Sequence, residues 1–550
     1  MSRLRYFLSI GLILLLVFSF GLSTYDHQFT YSDSSASTAV PALMHNYKII
    51  QYPLPKGSSQ PWGMTVDSQG RVWFVEEQTN QVGMFDPRNS SFAEYNVTTP
   101  NSLLEEITAA PNGNVWFTEL TGESLGQLNP ASGVIREYGM PRGPDNLPCG
   151  PIGVTASSNG NIWVTCEFSN QIDEFFPSNS SFLSFDLPVF FSAPLDIVFD
   201  HGGNFWFSAA DSDMIGYVTV ADLKNGTSNG INEFAPTNQT YLVTITNSQV
   251  PNASDLTATP PGVKIVSSIQ TPSEIALSPD GSSLWITEHV ASSFDRYNIN
   301  SKSLIKYWTS QTYSSSYTTS LPNGIAVDAA NHVWIAEHYG NKIAEFNPDT
   351  GQMVEYPIPC CGNGIAGTLY LALGLNGSVW FTEFYGNAIG ELVPQSTFQP
   401  ISLSLENTTA SVSSYGEVRI PVQTSLNNSS MNSVKVTFFI SGISTTGKME
   451  NSTALFDPPS VSLTSGGNLS TTLDIKTNGL NPGTYYLTVG GKLSTTGVIY
   501  STILKLVVSP DSSKTLLVEG AIAGSVASVA VVGALVVISR RPKIRRNKRR

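Results

Sequence analysis

Between residues 47 and 395 the chain alternates short apolar runs with polar turns, and the runs return in sets of four. One set occupies residues 322–359. Residues 322–328 alternate and are rich in β-branched side chains; 332–337, 342–346 and 353–359 follow, separated by Ala-Asn, by Asn341 and by Asn-Pro-Asp-Thr-Gly. Runs of this length with period-two alternation, punctuated by turn residues, predict four antiparallel strands. The second run of each set carries a tryptophan: Trp73, Trp116, Trp163, Trp206, Trp285, Trp334 and Trp380, at steps of 43, 47, 43, 79, 49 and 46 residues. A period in the forties built from short strands is that of a β-propeller. The tryptophans are expected to pack between blades, because large aromatics dominate such cores.

The fourth-run pattern also occurs seven times, around Tyr52, Tyr95, Tyr138, Phe185, Phe234, Tyr307 and Tyr356. Its first copy precedes the first tryptophan, and the last inner triplet, 368–393, has no outer run after it. Residues near 48–55 are therefore expected to complete the last blade and close a seven-bladed ring, removing an exposed sheet edge. The long step is read as blade four carrying a polar excursion over about 219–266, with Asn-Gly and Pro-Pro breakers.

Composition divides the rest of the chain. Residues 1–22, with a basic start and an apolar stretch, read as a signal peptide or N-terminal anchor, and 23–46 as a flexible lead. The propeller is assigned to 47–396. Residues 397–510 lose the tryptophans and gain Ser, Thr and Asn, and the alternation at 434–440 and 485–489 predicts a small Ig-like β-sandwich acting as a stalk. Residues 516–538 are small and apolar, as a transmembrane helix requires, and 539–550 hold eight Lys and Arg, as a cytoplasmic tail does. The remaining 21 basic residues face 42 Asp and Glu. Such an acidic ectodomain repels nucleic acid. Twelve Asn-x-Ser/Thr sequons, Asn89 and Asn376 among them, fit an exported glycoprotein. The expected partners are the membrane, through the C-terminal helix, and an extracellular glycan, peptide or protein.

Candidate chemistry gathers at one end of the blades. Antiparallel pairing brings the start of a first strand beside the end of its second strand. Five second strands end in Glu: Glu76, Glu119, Glu288, Glu337 and Glu383. A ring of carboxylates suits a hard cation such as Mg²⁺ or Ca²⁺, with Glu288, Glu337 and Glu383 as candidate ligands. A residue repeated in nearly every blade also suits a structural cap on its own turn. Two neighbouring blades repeat Glu-His, at Glu288-His289 and Glu337-His338, which offers candidate catalytic acid–base groups. The four cysteines lie at the same end. Cys149 and Cys166 flank one blade and Cys360-Cys361 enter another, so all four are disulfide candidates outside the cell.

The repeats Pro-Asn-Gly-Ile-Ala-Val-Asp…Val-Trp-Ile-Ala-Glu-His-Tyr-Gly-Asn-Lys-Ile-Ala-Glu-Phe and Val-Trp-Phe-Thr-Glu-Phe-Tyr-Gly-Asn-Ala-Ile-Gly-Glu-Leu resemble those of the virginiamycin B lyase (streptogramin lyase) family, and more distantly those of NHL-repeat and gluconolactonase-like propellers. The resemblance covers about residues 48–395. It implies a seven-bladed propeller and, for the family, Mg²⁺-assisted elimination that opens a streptogramin B lactone. That chemistry uses a His directly after the first-strand Pro, opposite the Glu that ends the second strand. Here the position reads Trp62, Glu105, Ile152, Leu195, Ser273, Asn323 and Leu369. The expectation is a surface binding propeller without lyase activity; the alternative is a Mg²⁺-dependent lyase or hydrolase acting on a lactone or ester.

Overall fold

The computed structural model describes residues 47–223, 230–235, 242–244, 263–265, 271–289, 292–310, 320–360, 364–394, 401–426, 433–442, 453–478 and 480–511. Seven four-stranded antiparallel blades follow in chain order, six of them separate sheets and the sixth blade part of a larger one. Blade one starts at Pro61–Val66, blade two at Leu104–Ala109, blade three at Pro151–Ala156 and blade four at Pro194–Phe199. Blades five, six and seven start at Pro272–Leu277, Pro322–Val327 and Thr368–Leu373. The fourth strand of blade seven is Tyr47–Pro53, which pairs antiparallel with Ala388–Pro394 from the other end of the propeller sequence. The ring is thus closed by its N-terminal strand. In blade four the outer strand, Ile231–Phe234, lies inside the stretch read as an excursion, and a hairpin of Leu242–Thr244 with Val263–Ile265 follows it.

All seven tryptophans are buried, none more than 5% exposed. Each reaches outward to the aromatic of a fourth strand and sideways to the next blade. Trp116, for example, lies 6.0 Å from Tyr138 and 5.5 Å from Phe175; Trp380 lies 5.7 Å from Tyr52 and 5.6 Å from Phe85. A second rule sits one residue later. Where that residue is Phe, its partner on the third strand is Gly: Phe74 with Gly83, Phe117 with Gly126, Phe207 with Gly216 and Phe381 with Gly390. A Cβ on Gly126 would fall 2.1 Å from the Phe117 ring, so the ring lies directly over the glycine. Where the residue is Val or Ile the partner is larger: Asp173, Asp295 or Ala344.

The described residues between 401 and 511 form two packed sheets. One holds Ile401–Leu405, Glu417–Leu426, Asn468–Lys476 and Thr453–Asp457; the other holds Ser460–Thr464, Ser433–Ser441, Gly483–Leu493 and Ile499–Ser509, with Thr409–Ser413 parallel to the last. Alternate residues such as Leu403, Val422, Val436, Leu473 and Leu504 make the shared core. This sandwich is more than a stalk. Ile499–Ser509 also pairs with Gln352–Pro357, the outer strand of blade six, so one sheet continues from propeller to sandwich. Thr488 Oγ donates to the carbonyl of Trp308 in blade five at 2.6 Å. The pairing covers a propeller edge that would otherwise be exposed.

No helix among the described residues is long and apolar enough to cross a membrane. The signal or anchor segment, the lead, the 516–538 helix, the basic tail and Cys361 all lie outside the described residues.

Candidate functional site

Each first strand meets its second at the same end: Pro61 opposite Glu76, Pro272 opposite Glu288, Pro322 opposite Glu337 and Thr368 opposite Glu383. A β-bulge follows each of these pairs and re-aims the next residues of the first strand.

The five repeated glutamates do not converge. All are at most 1% exposed, and most have a partner of their own. Thr79 donates to Glu76 at 2.7 Å. Glu288 takes Ser293 and the ammonium of Lys306. Glu337 lies 3.1 Å from Lys342, which also bonds Glu355 at 2.7 Å and the Ser310 hydroxyl. Gln51, on the closing strand, donates to both oxygens of Glu383 at 2.9 and 2.8 Å. Gly122, Gly340 and Gly386 press on Glu119, Glu337 and Glu383 so closely that a Cβ would collide. The geometry is that of caps beneath turns. Glu288, Glu337 and Glu383, candidates for one metal site, are therefore spread over three blades, and two of them face lysines. An ammonium in that place supplies the positive charge a cation would have supplied, so these three residues do not fit the Mg²⁺ the resemblance implies.

Burial pushes Glu119 and Glu383 up to about 7. It pushes Glu337 well above the usual carboxylate range as well, with Lys342 opposing and Glu355 adding to the rise. Burial works against the charge of Lys342 too, yet Glu337 and Glu355 hold its ammonium above the ordinary lysine value.

His289 and His338 are brought together. Their rings lie 6.2 Å apart and nearly parallel, and His338 continues to Tyr339 at 4.5 Å and Tyr385 at 5.8 Å. Phe384 extends the band, 4.9 Å from Tyr385 and 5.3 Å from Trp62. Burial drives the His338 pKa down to about 3, with His289 adding to the fall, and burial lowers His289 as well. Both are neutral imidazoles at physiological pH. His338 Nδ1 and Nε2 and His289 Nδ1 have no hydrogen-bond partner among the described residues. A base with so low a pKa is poorly matched to proton abstraction near pH 7.

Across the mouth the same positions are acidic. Glu77 and Glu167 follow the second strands of blades one and three, and Glu105 takes the place after the first-strand start in blade two. Burial raises Glu77 and Glu167 to about 7. It raises Glu105 far more, with Glu77 and Glu167 adding to it. All three are half-buried. The mouth thus has an aromatic–imidazole arc on blades five to seven and one, and an acidic arc on blades one to three. At the position where the resemblance calls for a catalytic His, Asn323 is buried; it accepts from Ser273 Oγ at 3.0 Å and donates to the Leu369 carbonyl at 3.4 Å.

Cys149 and Cys166 form a disulfide within blade three. Cys360 is half-buried in the segment leading to blade seven. Sequence reasoning missed one feature beneath the mouth: Glu106, Asp196 and Glu274, from blades two, four and five, whose ligand oxygens lie within 4.8 Å of one another. The signal was a charged residue two places after the strand start, where blades one, three and six have Gly63, Gly153 and Gly324.

A profile of the virginiamycin B lyase family matches residues 26–227. No curated protein matches the chain. Among solved structures, a streptogramin B lyase aligns at 23% identity and a TM-score of 0.50, covering 64% of this chain and 98% of that one. Virginiamycin B lyase from Staphylococcus aureus aligns at 23% identity and 0.49, covering 63% and 99%. A protein described as a gluconolactonase aligns at 13% identity and 0.34, covering 52% and 87%. The repeats, the closed ring of seven blades, the family profile and the streptogramin B lyase alignment agree: the chain carries a propeller resembling those of the virginiamycin B lyase family.

Proposed function

We propose that the chain is a membrane-anchored, extracellular binding propeller whose mouth takes a carbohydrate, and that it lacks streptogramin lyase activity. The observation that carries this reading is the two-sided mouth. Trp62 and Tyr385 present aromatic surface to the apolar face of a sugar ring, with the buried Phe384 ring packed against both. Opposite, Glu77 and Glu167 titrate near neutrality, so they both accept and donate hydrogen bonds and suit a neutral, hydroxyl-rich ligand better than a cation. The lysine-capped Glu288 and Glu337 and the substitution of Asn323 at the base position argue against the elimination. The apolar segment 516–538, the basic tail and the sequons support an outward-facing propeller held at the membrane.

Binding of the full-length chain to a glycan array, followed by tryptophan fluorescence titration, tests the reading. A saccharide whose affinity falls about tenfold or more in Trp62→Ala and Tyr385→Ala supports it, a loss of the size expected for one aromatic contact. Binding that survives both substitutions, or none across the array, contradicts it. The alternative, a Mg²⁺-dependent lyase or hydrolase on a lactone or ester, draws on His289 Nδ1 and both ring nitrogens of His338, which lack a partner among the described residues of the same mouth.

A further inference from the structure

We infer that Glu106, Asp196 and Glu274 hold a Ca²⁺ ion at the centre of the ring, beneath the mouth. Three first strands deliver these carboxylates to one point, with ligand oxygens within 4.8 Å of one another. That spacing is what oxygens bound to a single ion at 2.3–2.6 Å would have. Glu106 is 8% exposed, and its Oε1 is buried with no hydrogen-bond partner among the described residues, whereas its Oε2 accepts from the amide of Val154 at 3.2 Å. The Asp196 oxygens accept the amides of Ile197 and Ile275 at 2.6 and 2.8 Å.

The groups acting most strongly on the three are one another, Glu105, Tyr370 and backbone amides, and none of these is basic. This is the opposite of Glu288 and Glu337, each of which has its own lysine. Several carboxylates packed together in a low-dielectric site need a cation or protons. The strands here are crowded: a Cβ on Gly63 would fall 2.3 Å from the carbonyl of Glu105, and one on Gly153 2.1 Å from that of Leu195. Mg²⁺ keeps several waters and demands octahedral geometry, so this tight, carboxylate-rich place suits Ca²⁺ better. The ion would brace blades two, four and five across the ring. It is independent of any ligand at the mouth.

The full-length protein, purified without chelator, is analysed for metal and then melted with EDTA or with added CaCl₂. The expected result is one Ca²⁺ per chain, a lower Tm in EDTA and its restoration by Ca²⁺. Tb³⁺ luminescence, sensitised by the aromatic residues around the site and displaced by Ca²⁺, reads the same site without any substitution. Glu106→Gln/Glu274→Gln should lose the ion and weaken Ca²⁺ binding by about 100-fold or more, given how strongly ligand charge sets affinity. Glu174→Gln, at the rim of blade three, should keep it. A wild-type protein free of metal, with the same Tm in EDTA and in CaCl₂ and no displaceable Tb³⁺ signal, would overturn the inference and leave shared protons as the solution.

Discussion

Two sets of carboxylates lie on the first and second strands of the blades in this propeller, and they behave in opposite ways. The first set repeats: Glu76, Glu119, Glu288, Glu337 and Glu383 end their strands in five blades, and four of them are answered locally by a hydroxyl, an amide or a lysine. The second set, Glu106, Asp196 and Glu274, breaks the repeat and points at one place with no basic partner among the described residues. A residue required in most blades serves the blade. A residue that departs from the repeat serves something the blades do together. The family likeness directs attention to the first set, and the physical anomaly lies in the second.

The largest effect expected for the repeated set comes from ring closure. Deleting residues 47–53 removes the outer strand of blade seven and, with Gln51, the partner of Glu383. Circular dichroism should show loss of the cooperative melting transition, because an open blade edge and a stranded buried carboxylate arise together. An unchanged melting curve would mean that the ring closes in another way.

Next in size is Lys342→Met. It leaves Glu337 and Glu355 buried without their ammonium, and urea unfolding should show a loss of about 3–5 kcal/mol, as when one member of a buried ion pair is removed. A near-neutral result would place the two carboxylates in water and dissolve the contrast between the sets. Gln51→Leu is milder. It removes one donor from Glu383, at a cost of about 1–3 kcal/mol by the same measurement.

A pH series sharpens the same point with no substitution. Glu77, Glu119, Glu167 and Glu383 are raised to about 7 by burial. Groups with raised folded-state values bind more protons folded than unfolded. Their contribution is complete below the ordinary carboxylate value and is lost as pH rises through about 7. The Tm should therefore climb by a few degrees as pH falls from about 8 to about 5.5. A Tm that falls over that window would show these groups ionised and paired.

Much of the fold was legible because a propeller repeats its physics. The tryptophan spacing, the Tyr or Phe of the fourth strand and the orphan first copy at Tyr52 led to the blade count and to the closing strand. The Phe–Gly pairing of Phe117 with Gly126 was equally present in the letters, but it becomes a rule only once the register is known. The docking of Ile499–Ser509 onto Gln352–Pro357 was not legible, since alternation in a strand does not name its partner. At the site, the sequence marked His289 and His338, which the fold does place side by side. It could not show that Lys306 and Lys342 reach Glu288 and Glu337, because those lysines come from other strands of the blade. Glu106, Asp196 and Glu274 were invisible as a group for a similar reason: only ring closure brings blades two, four and five to one centre.

The most direct test of the claim that the repeated glutamates are structural is a lactone-opening assay. The full-length chain is incubated with a streptogramin B antibiotic and Mg²⁺, and ring opening is followed by mass. With Asn323 at the base position and Lys342 on Glu337, the antibiotic should remain cyclic in the wild type and in Glu337→Gln alike. Mg²⁺-dependent linearisation by the wild type, abolished in a folded Glu337→Gln variant, would contradict the account.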